Sequence, residues 1–161
     1  MTLDFMDDCA VNEPAPSAFA FNDIAASTCS SVDISSYMMS SPFPDWLEKA
    51  KVQVEDLGRL QPGWDSYNAR PISAIARTAA YGLLGQLSSP RTPEPTLVPT
   101  SDGSVQIEWH TRGIDLEIRV LSSTRVSVCF EDLRGEVASM EDELQYDLTA
   151  LREAIQALSN R

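Results

Sequence analysis

Apolar and polar residues alternate in the middle of the chain, and this pattern predicts an antiparallel β-sheet. Apolar side chains occupy every second position in three runs, at residues 105–109, 114–120 and 126–130. Short polar turns at Arg112-Gly113 and Ser122-Ser123 separate these runs. A period of two places alternate side chains on opposite faces, which predicts a meander with one buried and one solvated face. Leu97-Val98 and Gly135-Glu136-Val137 are expected to add short edge strands.

Two helices are predicted before the sheet, because apolar residues there recur at helical spacing. The first helix is expected to begin with Asp45 as its cap and to end at Gly58. Its apolar face is Trp46, Ala50, Val54 and Leu57. The second helix is expected to begin at Ser73, and Gly82 and Gly85 fall inside it, where close packing against a neighbour would explain them. The apolar face of this second helix is Ile75, Ala76, Ala79, Ala80, Leu83, Leu84 and Leu87.

A third helix is predicted near the C-terminal end of the sequence. Ser139 would cap it, and the acidic residues 141–143 would complement the positive end of its dipole. Its apolar stripe is Leu144, Leu148, Leu151, Ile155 and Leu158. Such a stripe requires a hydrophobic platform, which the apolar sheet face provides. The predicted fold is therefore α+β, with two N-terminal helices, an antiparallel meander of three to five strands, and a C-terminal helix packed on one sheet face.

Residues 1–41 differ in composition from the rest of the chain. They contain six acids and no Lys or Arg, among many Ser, Ala and Pro residues. Little apolar surface is available there to offset chain entropy, so the segment is predicted to be disordered or to become ordered on a partner. Its spaced apolar side chains include the candidate partner-binding residues Phe5, Phe19, Phe21 and Tyr37. Residues 42–161 are predicted to form a single α+β domain.

The charge of the chain narrows the classes of partner. With 12 basic and 24 acidic residues, the formal net charge is −12. This balance argues against binding to nucleic acid or to an anionic membrane, and it favours a basic protein partner. The acidic N-terminus lacks the basic region of a signal peptide, and no apolar run approaches the ~20 residues of a membrane span. Because the three cysteines also lack paired spacing, a cytoplasmic protein is expected.

The solvated sheet face carries the residues that are the best candidates for catalysis or charge recognition. If Arg112-Gly113 is a tight turn, Glu108 lies opposite Glu117 and His110 lies opposite Asp115. Opposed carboxylates repel, so this face is expected either to stay solvated or to meet a positively charged partner. Paired carboxylates can also divide acid and base roles, which leaves a small hydrolase or transferase as an alternative function.

Other catalytic patterns are weak in this sequence. Cys129 is expected beside Glu117, which would raise the pKa of its thiol rather than lower it. One histidine and scattered cysteines match no zinc spacing, and the isolated glycines form no phosphate-binding loop. No metal and no cofactor are therefore predicted.

The loop after the first predicted helix combines turn-forming residues with two large aromatic side chains. Its Asp65 is expected to shape the turn by accepting backbone amide hydrogens. Trp64 and Ile72 are expected to fill a gap between the helices and the sheet. Alternatively, Trp64, Tyr67 and Arg70 are exposed anchors for a partner, because Trp, Tyr and Arg often dominate interface energies.

Two segments resemble a group of short, uncharacterised bacterial proteins. The first segment is the loop Gly63-Trp64-Asp65-x-Tyr67-x-Ala69-x-Pro71-Ile72. The second is the strand Pro99-Thr100-x-Asp102-Gly103-x-Val105-Gln106-x-Glu108-Trp109. The resemblance covers roughly residues 57–120. It implies one compact bacterial domain and carries no activity with it.

These observations predict a non-enzymatic acidic interaction protein of a bacterium or its mobile elements. It would bind and restrain, or chaperone, a basic protein, as an antitoxin, immunity protein or anti-defence inhibitor does. Its candidate contacts on the folded domain are Trp64, Tyr67, Arg70, Glu108, Asp115 and Glu117. The alternatives are the carboxylate-dependent enzyme and a nucleic-acid mimic, although arginines interrupt the acidic stripe that mimicry needs. The sequence also allows a homodimer through the C-terminal helix.

Overall fold

The computed structural model describes residues 41–161, so the candidate residues Phe5, Phe19, Phe21 and Tyr37 and the predicted tail lie outside the described residues. Two helices precede five strands, and a third helix follows them. The helices α1, α2 and α3 are Leu47–Leu57, Ala74–Leu87 and Thr149–Asn160. The strands β1 to β5 are Thr96–Pro99, Val105–Thr111, Ile114–Val120, Arg125–Asp132 and Met140–Gln145. The predicted α+β class is confirmed.

The five strands form one antiparallel sheet in chain order. Arg112 and Gly113 both have positive φ, 57° and 73°, which is the geometry of a two-residue hairpin turn between β2 and β3. This turn sets the predicted register, in which Glu108 lies opposite Glu117. Along β3, buried residues alternate with partly exposed ones, which confirms the one-sided meander. The predicted edge strand at Leu97-Val98 is also confirmed as part of β1.

Both N-terminal helices occupy their predicted segments, but two details differ. Helix α1 begins at Leu47, and within residues 41–161 no side chain caps its first turn. The prediction that Asp45 caps this helix is therefore wrong. The predicted cap of α2 is confirmed, since Ser73 Oγ accepts a hydrogen bond from the Ala76 amide at 3.0 Å. Ile75 was expected in the core, yet 64% of its surface is exposed.

The prediction that close packing against a neighbouring element explains Gly82 and Gly85 is wrong. A Cβ atom added at either position would have no neighbouring atom within 4 Å among the described residues. Both glycines therefore face open space and leave gaps on the outward side of α2.

The C-terminal helix begins later than predicted. Residues Met140–Gln145 form β5, which pairs with β4, instead of the first turns of a helix capped by Ser139. The segment Gly135-Glu136-Val137 is also not a strand, because it lies in the irregular connection between β4 and β5. Helix α3 starts at Thr149, whose amide and hydroxyl both donate to Asp147 Oδ1, at 2.9 and 2.6 Å. These two bonds shape the turn before α3, whose N-cap position, Leu148, has no side-chain cap among the described residues.

The core lies between the inner sheet face and the three helices. Its completely buried residues include Ile107, Leu116, Leu151 and Leu158. Trp46 and Trp109 border the core, and both fix the connector before β1. Their indole N–H groups donate to the carbonyl oxygens of Thr92 and Pro93, each at 2.8 Å. Because the apolar stripe of α3 is buried inside the domain, the homodimer surface predicted on this helix is already covered.

Candidate protein-binding surface

The outward-facing side chains of β2 to β5 form a surface that we call the outer sheet face. Its acidic members are Glu108, Asp115, Glu117, Glu131, Glu141 and Glu143. Its basic members are His110, Arg119 and Arg125. Among residues 41–161, the helices pack on the opposite face of the sheet and none of them covers this acidic side.

A hydrogen-bonded cluster occupies the β2–β3 part of the outer sheet face. The Gln106 side-chain amide donates to Glu108 Oε1 at 2.8 Å and to Glu117 Oε2 at 3.1 Å. One neutral amide therefore bridges two carboxylates that the strand register places opposite each other. This role of Gln106 was missed in the sequence, although strand alternation already places it on the face that carries Glu108.

His110 extends the same cluster toward the hairpin turn. Its Nδ1 lies 3.1 Å from Asp115 Oδ1, and its Nε2 lies 3.5 Å from Glu108 Oε2. The hydrogen bond to Asp115 and the charges of both carboxylates outweigh partial burial and raise the pKa of His110 above its usual range. Protonation of this half-exposed imidazole changes the charge of the surface by one unit.

Arginine side chains offset the acidic charge only at one end of the outer sheet face. Arg119 Nη2 lies 2.6 Å from Asp102 Oδ2, in the turn before β2. Although partial burial opposes it, hydrogen bonds from Thr100, Ser104 and Arg119 hold the pKa of Asp102 well below its usual range. At the start of β4, Arg125 Nε lies 3.9 Å from Glu143 Oε2, a looser pair.

The exposed thiol of Cys129 lies among carboxylates. Glu117 and Glu141 flank it on the neighbouring strands, and Glu131 lies two residues further along β4. Burial, followed by the charges of these carboxylates, raises the pKa of the Cys129 thiol, as the sequence predicted. The same field that disfavours a thiolate favours a positively charged group from outside.

The loop between α1 and α2 is held by its own backbone bonds. Gly63 has a φ of 75°, and its amide donates to the Ala69 carbonyl at 2.8 Å. Asp65 Oδ1 accepts the amides of Tyr67 at 2.9 Å and Ala69 at 3.1 Å, which confirms its predicted role. The loop is therefore rigidly shaped by residues of its own motif.

Trp64 does not fill the gap between helices and sheet as predicted. Its partly exposed indole folds over the loop and donates to the Arg70 carbonyl at 3.2 Å. Ile72, by contrast, is only 5% exposed and belongs to the core, as predicted. Tyr67 is 84% exposed and the Arg70 side chain is also exposed, so these two are the accessible members of the predicted anchor set.

The loop at residues 63–72 and the segment at residues 99–109 contact each other where the chain enters α2. The amide of Arg70 donates to the Ser101 carbonyl at 2.8 Å, and the amide of Ser73 donates to the Gly103 carbonyl at 3.0 Å. Gly103 has a φ of 87°, and a Cβ at this position would lie 2.8 Å from the Pro71 carbonyl oxygen. Glycine is therefore required where the loop meets the turn, and the two segments form one structural unit.

Three further results concern metal binding, membrane spans and similarity to known proteins. Residues 41–161 contain no group of three His, Cys, Asp or Glu side chains that could hold a metal ion. In the same described range, no helix combines the length and the hydropathy needed to cross a membrane. Comparison with protein-family models, with curated proteins and with solved structures found no match for this chain.

Proposed function

We propose that this protein is a non-enzymatic acidic interaction protein that binds a basic partner protein and restrains or chaperones it. The observation that carries the proposal is the direct opposition of Glu108 and Glu117 on an uncovered sheet face. Like charges placed directly opposite each other destabilise a sheet. Local violations of folding rules are expected at functional sites, and a basic partner would supply the positive charge that this face lacks.

The proposed contact surface extends from the strands to the loop between α1 and α2. The ion pair of Arg119 and Asp102 joins the outer sheet face to the turn before β2. The turn before β2 also contacts the loop that presents Tyr67 and Arg70. An exposed aromatic and an arginine beside an acidic field suit a partner whose Lys or Arg residues surround a small apolar patch.

This geometry suits recognition better than carboxylate-dependent hydrolysis or group transfer. Acid–base carboxylates work in clefts that remove them from water. Four surface grooves of residues 41–161 are lined by residues other than Glu108, Glu117 and His110. The proposal includes a role as antitoxin, immunity protein or anti-defence inhibitor in the cytoplasm.

Affinity capture with the full-length chain tests the proposal. The wild type and the triple variant E108Q/D115N/E117Q are immobilised and exposed to a lysate of the organism that encodes the chain. We expect the wild type to retain a basic protein that elutes with salt, because surface charge pairs are screened by ions. The triple variant should lose most of this protein.

The matched control is E48Q/E55Q/E153Q, which removes the same number of charges from exposed positions on α1 and α3. It should retain the captured protein. A further variant, F5S/F19S/F21S/Y37S, measures separately what the N-terminal candidates contribute. Failure to retain any protein, or equal loss in the two charge variants, would contradict the proposal.

A further inference from the structure

An apolar groove runs along the outward side of α2, on the far side of the sheet from the outer sheet face. Its volume is about 670 Å³. Helix α2 forms one wall, with Ile75, Ala79 and Gly82, and Val126 and Tyr146 form part of the opposite wall. Ile75 and Tyr146 are 64% and 77% exposed, and both line this one groove.

The groove is free of negative charge. Arg125 is the one charged residue among the described residues that line it, and none of them is acidic. The sequence between residues 66 and 93, which includes α2, contains no Asp or Glu at all. In a chain with a net charge of −12, two copies repel each other over most of their surfaces. This groove is where a second, equally acidic copy could approach.

The shape of α2 is complementary to itself. Ile75 protrudes from the helix, whereas Gly82 leaves a gap in which an added Cβ would meet no atom of residues 41–161 within 4 Å. The two residues are seven positions apart, so they lie on the same face and are separated by roughly 10 Å along the helix axis. Thr78 and Ala79, both small, lie midway between them.

We infer that the groove along α2 is the contact surface of a homodimer, in which α2 packs antiparallel against α2 of a second copy. A two-fold axis near Thr78 and Ala79 places Ile75 of each copy in the gap at Gly82 of the other. The packing buries both exposed isoleucines, and the small residues between them let the helices approach closely. Arg125 is the one member of the outer sheet face that also lines the groove. The acidic members of that face stay open in this dimer, so the inference is independent of the proposed function.

Sedimentation equilibrium of the full-length protein tests the dimer over a concentration range up to about 1 mM. The variant G82I adds its Cβ where residues 41–161 leave open space, so it should fill the gap and weaken self-association at least tenfold. The double variant I75A/G82I exchanges protrusion and gap, so it should recover the wild-type dimer. The matched control G85I adds the same side chain at an equally open glycine that does not line this groove, and it should dimerise like the wild type.

Salt provides a second readout. Repulsion between two acidic copies is screened by ions, so self-association should tighten as the salt concentration rises. A wild type that stays monomeric over the whole range would overturn the inference. Equal behaviour of G82I and G85I, or failure of the double variant to recover the dimer, would also overturn it. A monomeric wild type whose G82I variant releases the captured basic protein would assign the groove to that partner instead.

Discussion

Glu108 lies directly opposite Glu117 across β2 and β3, and both carboxylates accept a hydrogen bond from the same Gln106 amide. The amide donates one hydrogen to each carboxylate but removes no charge. The folded domain therefore keeps two negative charges side by side on its uncovered face. This relationship links the stability of the sheet to the charge of whatever lies against it.

Neutralising one member of this pair should stabilise the free protein. We expect E117Q to raise the free energy of unfolding by about 0.2–1 kcal/mol, because it removes a like-charge pair across adjacent strands. The control E55Q removes the same charge from an exposed position on α1 and should change the free energy by less. Urea denaturation measures both. A loss of stability in E117Q would contradict this prediction, because it would show that the two carboxylates stabilise the sheet instead of destabilising it.

The raised pKa of His110 can be measured directly. NMR titration of the imidazole should give a value above the usual value of about 6.5. In D115N, which removes the first cause of the shift, the pKa should fall back toward that value. Because the folded-state pKa is raised, the contribution of His110 to stability is fully present below about pH 6.5 and is lost as the pH rises through the folded-state value.

The same titration should affect partner binding in the opposite direction. Protonated His110 reduces the negative charge of the outer sheet face, so binding of a basic protein should strengthen as the pH rises through the raised pKa. In H110N this pH dependence should be flattened. An H110N variant with the wild-type pH profile would place the responsible group elsewhere.

The sheet could be predicted from the sequence because its strands and turns are determined by residues that are close together along the chain. The period-two pattern and the Arg112-Gly113 turn together determine the β2–β3 register, and with it the pairing of Glu108 with Glu117. The pKa direction of Cys129 followed from the β3–β4 pairing, which places Cys129 opposite Glu117. These are relations between residues that a short turn or a neighbouring strand brings together.

The errors arose where one spacing fits two structures or where a contact is distant in sequence. Leu144 lies four residues before Leu148, as in a helix, but it packs against the core from β5. Trp64 looked like a core residue because indoles usually are, whereas a carbonyl six residues away holds its N–H. The open space at Gly82 depends on the absence of a neighbouring element, which no local pattern reports.

The contact between the loop and the turn before β2 predicts a large effect of G103A. The control G135A has a similar φ, 69°, but open space around an added Cβ, so it should lose about 1 kcal/mol for the left-handed conformation alone. In G103A the Pro71 carbonyl must also move, and the loss should be clearly larger. Urea denaturation of both variants gives the comparison. Equal losses would mean that the loop yields freely to the new methyl group.

A buried ion pair connects the end of α3 to the end of β4. The Asp132 carboxylate is completely buried and accepts hydrogen bonds from Arg161 Nη1 at 2.7 Å and Nη2 at 2.5 Å. It also accepts the backbone amides of Arg134, Glu136 and Val137, at 2.9, 3.0 and 2.9 Å. One side chain therefore holds both the connection after β4 and the last turn of the C-terminal helix. The sequence could not predict it, because the partners are 29 residues apart.

Replacing this carboxylate should destabilise the domain more than replacing an exposed one. In D132N the Arg161 guanidinium, only 10% exposed, loses its buried counter-ion and keeps only the pair with Glu136, whose Oε2 lies 3.0 Å from Nη2. The urea midpoint should therefore fall markedly. The control D102N breaks a pair with Arg119 that is nearly half exposed, and its midpoint should fall less.

The stabilisation by Asp132 should also depend on pH. Arg161, followed by the backbone amides, holds the pKa of Asp132 well below its usual range. Its contribution is therefore present above about pH 4 and is lost as the pH falls through the folded-state pKa. The difference between wild type and D132N should stay constant from neutral pH down to about pH 5 and shrink below pH 4. A difference that is absent at neutral pH, or that persists undiminished in acid, would show that the charge of Asp132 does not hold these two elements together.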